Sequence, residues 1–477
     1  MKQIGPIIKL ILGPIFFLAS TMVQPDQLGQ EGTLAIGIGL WMVTWWITEA
    51  APIAVTSLLP IVLFPICNIM TISEVTAMYG HRFVFLFLGG FIIALAMERW
   101  NLHQRIAVNI VNTTGSSERK IVLGFMIATA FLSMWVSNTA TTLLMMPIAM
   151  SVAVLFANDS KTRKSSFVVA CLLAIAYAAN VGGISTLVGT PPNAAMAGII
   201  EDQTGRVIGF GEWMKWAFPF SITLLILVYF FLTRVIFKLN AQDNEEVAEA
   251  LKNKVKALGK WTTPEIRVMT IFATTAVLWM GRSFINQALP FKLDDTVIGV
   301  TMSILLFILP SGSEEKKSDK LLKWEDTTKI PWGILLLFGG GMALAAGFKD
   351  AGVMDYLGVL LSDLATWPLI LLLLVMVLVS LFATELMSNL ALVNVLIPMV
   401  LVVSQSSDLP MMQLVVPVTM ASSCAFMFPM ATPPNAIVFS SNQITIPQMA
   451  KAGIVLNLIA TSLLVGLIFT FIQLGWI

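Results

Sequence analysis

Ser137–Met150 reads SNTATTLLMMPIAM, and 251 residues further on Ser388–Met399 reads SNLALVNVLIPM. Two more pairs follow the same order at nearly the same offset. Phe87–Ala96 (FLGGFIIALA) is answered by Leu337–Ala346 (LFGGGMALAA), and Gly189–Ala195 (GTPPNAA) by Ala431–Ile437 (ATPPNAI). Three matches in register make the chain two copies of one unit. The first repeat is assigned to residues 1–240, a charged linker to 241–265 and the second repeat to 266–477. Duplication of this kind is a mark of secondary transporters.

The sequence around the motifs is that of a membrane protein. Of 477 residues, 57% are apolar and 12% are charged, against roughly 25% charged in soluble proteins. The mean hydropathy is +0.86. Charges gather in Asp243–Arg267 and Glu314–Lys329, leaving long apolar stretches elsewhere. A helix crossing the bilayer needs about 20 apolar residues, and segments of that kind predict about eleven spans, the first at Ile7–Val23. This is an all-α polytopic membrane protein. A net charge of +1 and three isolated cysteines argue against a nucleic-acid partner and a disulfide scaffold. The absence of long insertions points to a multi-pass protein of a bacterial inner membrane.

Each repeated motif disturbs a helix at membrane depth. Gly89–Gly90 and Gly339–Gly341 lie in apolar runs suited to re-entrant hairpins near 82–98 and 332–348, with close helix packing as the alternative. Pro191–Pro192 and Pro433–Pro434 cannot continue a helix, so broken helices are expected at 186–195 and 429–437, and also at 133–150 and 384–399. Irregular backbone survives in a bilayer only when buried in protein or lining a polar cavity. Two breaks in corresponding places therefore point to a site. Ser137, Asn138, Thr139, Ser388, Asn389, Thr190, Asn193, Thr432 and Asn435 supply hydroxyl, amide and carbonyl groups beside the breaks. Such neutral oxygens suit Na⁺, and the donors with helix N-termini suit a carboxylate. No Lys or Arg lies in these motifs, so an anion would depend on dipoles and co-bound cations. Ser133 and Ser137, four apart, are expected to share a helix face, as are Thr384 and Ser388.

With these motifs the chain resembles the divalent anion/sodium symporter family over essentially its whole length. The resemblance implies an inverted-repeat homodimer with a scaffold domain and a transport domain that moves like an elevator. It also implies Na⁺ as coupling ion, with no organic cofactor. One sodium site would use Ser133, Ser137, Asn138 and the carbonyl of Gly189. The other would use Thr384, Asn389 and the carbonyls of Met387 and Ala431. Substrate would rest on Asn138, Thr139 and Asn389, with Thr190–Pro191 and Thr432–Pro433 closing the pocket. The second motif carries Leu390 at a substrate position where the bacterial dicarboxylate pattern has threonine, which removes one donor.

The function expected is Na⁺-coupled symport of a C4-dicarboxylate such as succinate, malate or fumarate. Alternatives are a sodium-independent dicarboxylate or tricarboxylate exchanger, and a citrate- or sulfate-preferring symporter of the same fold. No nucleotide fingerprint or catalytic dyad favours an enzyme. Glu385, between Thr384 and the second Ser-Asn pair, is expected to fasten its hairpin through hydrogen bonds. The charged ends Glu98–Arg99 and Lys349–Asp350 are expected to be exposed anchors. Glu245–Lys256, with charges and apolar residues at helical spacing, is expected to form an amphipathic surface helix.

Overall fold

The computed structural model describes residues 4–23, 25, 28–153, 161–313 and 319–477. Residues 314–318, part of the second charged stretch, lie outside them. The chain begins with α1 (Ile4–Thr21), α2 (Gln30–Thr48), α3 (Ile53–Thr56), α4 (Leu59–Ile66) and α5 (Ile72–Tyr79). The first repeat continues through α6 (Arg82–Arg99), α7 (Leu102–Thr114), α8 (Glu118–Ser133), α9 (Asn138–Ala153), α10 (Lys161–Ile184), α11 (Pro191–Thr204) and α12 (Phe210–Phe230). After the linker helix α13 (Glu245–Ala257) come α14 (Thr263–Ala288) and α15 (Asp295–Ile308). The second series is α16 (Trp332–Asp350), α17 (Val353–Leu360), α18 (Leu369–Thr384), α19 (Asn389–Ser406), α20 (Met411–Ala421), α21 (Pro433–Ser440) and α22 (Ile446–Gln473). Among the described residues no β-strand occurs, and seven helical stretches are long and apolar enough to cross a membrane.

Helix starts follow local chemistry. Thr262 with Glu265 and Thr445 with Gln448 form reciprocal capping boxes at α14 and α22. Pro191 and Pro433 stand at the first position of α11 and α21, where a missing N–H costs nothing and the fixed φ suits a helix. The Pro-Pro pairs thus begin the second half of each broken helix.

The glycine motifs differ from the hairpin expectation. Arg82–Arg99 and Trp332–Asp350 are each one uninterrupted helix. Eighteen residues rise about 27 Å, enough for one crossing, and glycine alone removes no helical hydrogen bond. Its use here is close approach. A Cβ on Gly89 would lie 2.9 Å from the Gly299 carbonyl carbon, and one on Gly340 would collide with the backbone of Ser57. The chain turns back instead at the Ser-Asn motifs, between α8 and α9 and between α18 and α19. Consequently Ser133 and Ser137 do not share a helix face. Ser133 ends α8, and Ser137 lies across the turn, as Thr384 ends α18 and Ser388 precedes α19.

Five apolar segments lie between these hairpins, α10 with α11, α12, α14, α15 and α16. An odd number is what the topology of an inverted repeat requires. The halves interlock, since α11 packs on α19 and α21 packs on α9 and α10.

Ion pairs brace the ends. Arg82 joins α6 to Glu201 of α11 and to Asp294 before α15, both at 2.7 Å. Lys349 and Asp350 are exposed as expected, Lys349 donating to the Gln203 carbonyl at 3.2 Å, whereas Glu98 and Arg99 are half-buried and Arg99 pairs with Asp326. α13 is the expected amphipathic linker helix, with Val247 and Leu251 buried. Arg105 fastens the chain that follows it. Its guanidinium meets Glu265 at 2.7 Å and donates to the carbonyls of Leu258, Gly259 and Lys260. Outside the membrane-spanning segments, Lys120 beside Asp243 holds that carboxyl below the usual carboxylate range.

Candidate functional site

The two hairpin turns are built alike. Ser133 Oγ, with its single proton, lies within hydrogen-bond distance of two acceptors, Asn138 Oδ1 across the first turn and the Ala179 carbonyl of α10 at 2.8 Å. Thr384 Oγ1 likewise shares one proton between Asn389 Oδ1 across the second turn at 2.6 Å and the Ser422 carbonyl that follows α20. Each turn therefore gathers one hydroxyl, one amide and a main-chain carbonyl of a neighbouring broken helix. Ser133 and Thr384 are fully buried, whereas Asn138 and Asn389 are half-buried.

The broken helices are held by an equally repeated device. Asn193 Nδ2 donates to the carbonyls of Gly183, 3.2 Å, and Thr186, 2.7 Å, which lie ten and seven residues upstream. Asn435 Nδ2 donates to Ala425 and Phe428, each at 3.1 Å and at the same two steps back. These carbonyls lie at the end of the preceding helix or in the irregular backbone beyond it, and the amide of the Pro-Pro-Asn motif ties that backbone together. Thr432 caps α21 by accepting the Asn435 N–H, while Thr190 precedes α11 in extended backbone without a side-chain cap.

The first turn and first break are in contact. A Cβ on Gly183 would lie 2.7 Å from Asn138 Oδ1, and one on Gly189 would lie 2.5 Å from the Gly183 carbonyl oxygen and 3.0 Å from that of Ser133. The expected set Ser133, Asn138 and Gly189 is thus brought together, and only glycine permits the approach. Ser137 Oγ accepts the Ala140 N–H at 3.2 Å, which places it at the start of α9. In the second repeat Thr384 and Asn389 meet directly. Met387 is half-buried in the turn, and Ala431 is buried immediately before Thr432. Thr139 and Pro191 are half-buried, Thr190 and Thr432 buried and Pro433 exposed. Leu390 is 4% exposed and belongs to the apolar core.

Glu385 fastens the second half by hydrogen bonds. Its carboxylate accepts the main-chain N–H groups of Phe426 at 2.7 Å, Met427 at 3.0 Å and Phe428 at 3.3 Å, and the Asn457 amide at 3.0 Å. The first repeat solves the same task without charge: Thr186 Oγ1 donates to the Met134 carbonyl at 2.6 Å and accepts the Gly189 N–H. Thr186, Asn180 and Asn457 were not singled out by sequence reasoning. Asn180 and Asn457 are single polar residues in apolar stretches and Thr186 follows Ser185, and no local pattern marks any of their partners.

Two oxygen-lined turns, two broken helices and interlocked halves form one candidate site inside an apolar helical bundle. Residues 6–477 match the family described as sodium:sulfate symporter transmembrane region. The sodium-dependent dicarboxylate transporter SdcS of Staphylococcus saprophyticus is 40% identical over 475 residues, 98% of this chain and 91% of that protein. SdcS of Staphylococcus aureus is 41% identical over 473 residues with the same coverage. The chain belongs to the divalent anion/sodium symporter family. Two solved structures share its fold at low identity. MtrF of Neisseria gonorrhoeae, from a class of antimetabolite efflux pumps, has a TM-score of 0.59 at 11% identity, covering 95% of this chain and 97% of that one. The YdaH transporter of Alcanivorax borkumensis has a TM-score of 0.56 at 13% identity, covering 85% and 88%.

Proposed function

We propose that this protein couples the inward movement of Na⁺ to symport of a C4-dicarboxylate such as succinate, malate or fumarate across a bacterial inner membrane. The observation that carries the reading is the paired set of neutral oxygens, Ser133 with Asn138 and Thr384 with Asn389. Hydroxyl, amide and carbonyl oxygens are hard ligands suited to an alkali cation. In this reading one sodium lies among Ser133, Ser137, Asn138 and the Gly189 carbonyl. A second lies among Thr384, Asn389 and the carbonyls of Met387 and Ala431.

The dicarboxylate is met by Asn138, Thr139 and Asn389, beside Leu390, with Thr190–Pro191 and Thr432–Pro433 flanking it. No Lys or Arg belongs to these motifs, so the substrate's charge is balanced by the two cations and by the N-termini of α9, α11, α19 and α21. Cation binding then builds the anion site, which is coupling in physical form. The two SdcS relatives, named as sodium-dependent dicarboxylate transporters, support both the ion and the substrate class. Movement is assigned to an elevator step, with the hairpins and broken helices travelling as one body in each protomer of a homodimer.

Uptake of labelled succinate into proteoliposomes tests the reading. An inward Na⁺ gradient supports accumulation, and because two Na⁺ balance a dianion, an inside-negative potential raises it only where a further Na⁺ accompanies each substrate, by about 2.3 kcal/mol per net charge per 100 mV. Uptake unchanged when choline replaces Na⁺, but dependent on internal succinate, overturns symport in favour of exchange.

A further inference from the structure

The two halves of the site are joined by one buried amide. α10 is wholly buried from Phe167 to Ile184. On it, the Ala179 carbonyl accepts the Ser133 hydroxyl of the first turn at 2.8 Å. The next residue, Asn180, is 2% exposed and sends its side chain into the other repeat. Its Nδ2 reaches the Ala425 carbonyl and Thr432 Oγ1, each at 3.1 Å, and Asn435 Oδ1 at 3.4 Å. Nearly one turn earlier, Tyr177 OH donates to the Phe426 carbonyl at 3.0 Å. Thr432 caps α21 and follows Ala431, whose carbonyl is assigned to the second cation. A continuous chain of contacts thus runs from Ser133 through Ala179 and Asn180 to Thr432.

We propose that Asn180 is a positioning residue that couples the two cation sites, so that order imposed at the first turn presets the Ala431–Thr432 segment of the second. The inference rests on the site assignment of the preceding section. Its physical basis is that the segment from Ser422 to Thr432 has two kinds of support. Glu385 and Asn435 hold it from within its own repeat and fix its fold. Asn180 and Tyr177 hold it from the other repeat. Of these two, Asn180 touches the residue that starts α21, and its neighbour Ala179 touches the first turn. Removing the amide leaves the internal supports in place and severs the link between sites. Coupling carried in this way is a difference in free energy between singly and doubly occupied states. It is therefore visible in cooperativity rather than in maximal rate.

The test is Na⁺ activation of succinate uptake in proteoliposomes. It compares the unmodified protein with Asn180→Ala, Asn180→Ser and Thr432→Val, and the double variant Asn180→Ala/Thr432→Val. The loss of one buried hydrogen bond corresponds to a rise of about five-fold in half-activating Na⁺. The Hill coefficient for Na⁺ is expected to fall toward unity in Asn180→Ala, while the rate at saturating Na⁺ stays within about two-fold. The double variant is expected to be no less cooperative than the worse single one, because both changes cut the same bond. Tyr177→Phe, which removes a support of the same segment without touching Thr432, is expected to keep the Hill coefficient. A Hill coefficient and half-activating Na⁺ unchanged in Asn180→Ala overturn the proposal. If that protein does not fold, the same result in Asn180→Ser or Thr432→Val overturns it. Uptake indifferent to Na⁺ in the unmodified protein would instead overturn the functional reading itself.

Discussion

Thr384 Oγ1 donates to Asn389 Oδ1 at 2.6 Å, and the same five-residue step joins Ser133 to Asn138 in the other half. The amide oxygen of each asparagine is thereby aimed back across its turn toward a hydroxyl oxygen. Asn138→Ala and Asn389→Ala each remove that oxygen from one half only. Both variants are expected to fall to background in Na⁺-dependent succinate uptake and to lose succinate binding by calorimetry. Full uptake by either would refute the site assignment.

Removal of Na⁺ gives a second expectation. Because no fixed cationic side chain belongs to the motifs, succinate is expected to stabilise the purified protein only when Na⁺ is present. Thermal unfolding followed with and without succinate, in NaCl and then in choline chloride, checks this. A succinate-induced shift of equal size in choline would contradict it.

Glu385 is 1% exposed and accepts four N–H donors. In Glu385→Gln the charge is lost and one acceptor oxygen becomes a donor facing donors. A cost of about 1–3 kcal/mol is expected, read as a lower melting temperature in detergent. Glu385→Ala is expected to cost more, since it orphans the main-chain N–H groups of Phe426 to Phe428. An unchanged melting temperature in both would show that the carboxylate is dispensable.

Much of this organisation is legible in the sequence, and the reasons differ from motif to motif. The Pro-Pro-Asn pairs were readable because proline's missing N–H has one structural meaning at membrane depth. The Ser-Asn pairs were readable as polar groups repeated in register. The glycine motifs were misread as hairpins because glycine serves both a bend and a close contact, and only the neighbour decides which. For Gly340 that neighbour is Ser57, nearly three hundred positions away in the chain. The turn between Ser133 and Ser137 was hidden because four-residue spacing fits one continuous helix, and nothing in MWV between them forbids it. Asn180 was illegible for a similar reason. Its partners are 245 and 252 residues away, and only the fold brings them together.

Gly340→Val follows from the misread motif. A side chain there meets Ser57, with its Cβ 2.6 Å from the new one, and helix α16 must shift. Overpacking of this kind costs about 1–3 kcal/mol. Reduced yield of monodisperse protein in size-exclusion chromatography is expected. Wild-type yield and melting temperature would show that the contact can relax.

Arg105→Ala should loosen the connection between repeats. The change leaves Glu265, 6% exposed, without its partner and frees three carbonyls after α13. Breaking a buried pair by removing one member costs about 3–5 kcal/mol. Faster tryptic cleavage between Lys252 and Lys260 is expected in the variant, and equal cleavage rates would count against the clamp.

The interlocking of α11 on α19 and of α21 on α9 has a consequence for ancestry. Neither half is self-sufficient, because the broken helix of each is covered by the hairpin of the other. A gene encoding half of this chain would have yielded the same site only if two of its products met in the bilayer facing opposite ways. Fusion of the two reading frames fixes that antiparallel pairing in one polypeptide. It also frees the halves to differ, one bracing its break with the uncharged Thr186 and the other with the carboxylate of Glu385.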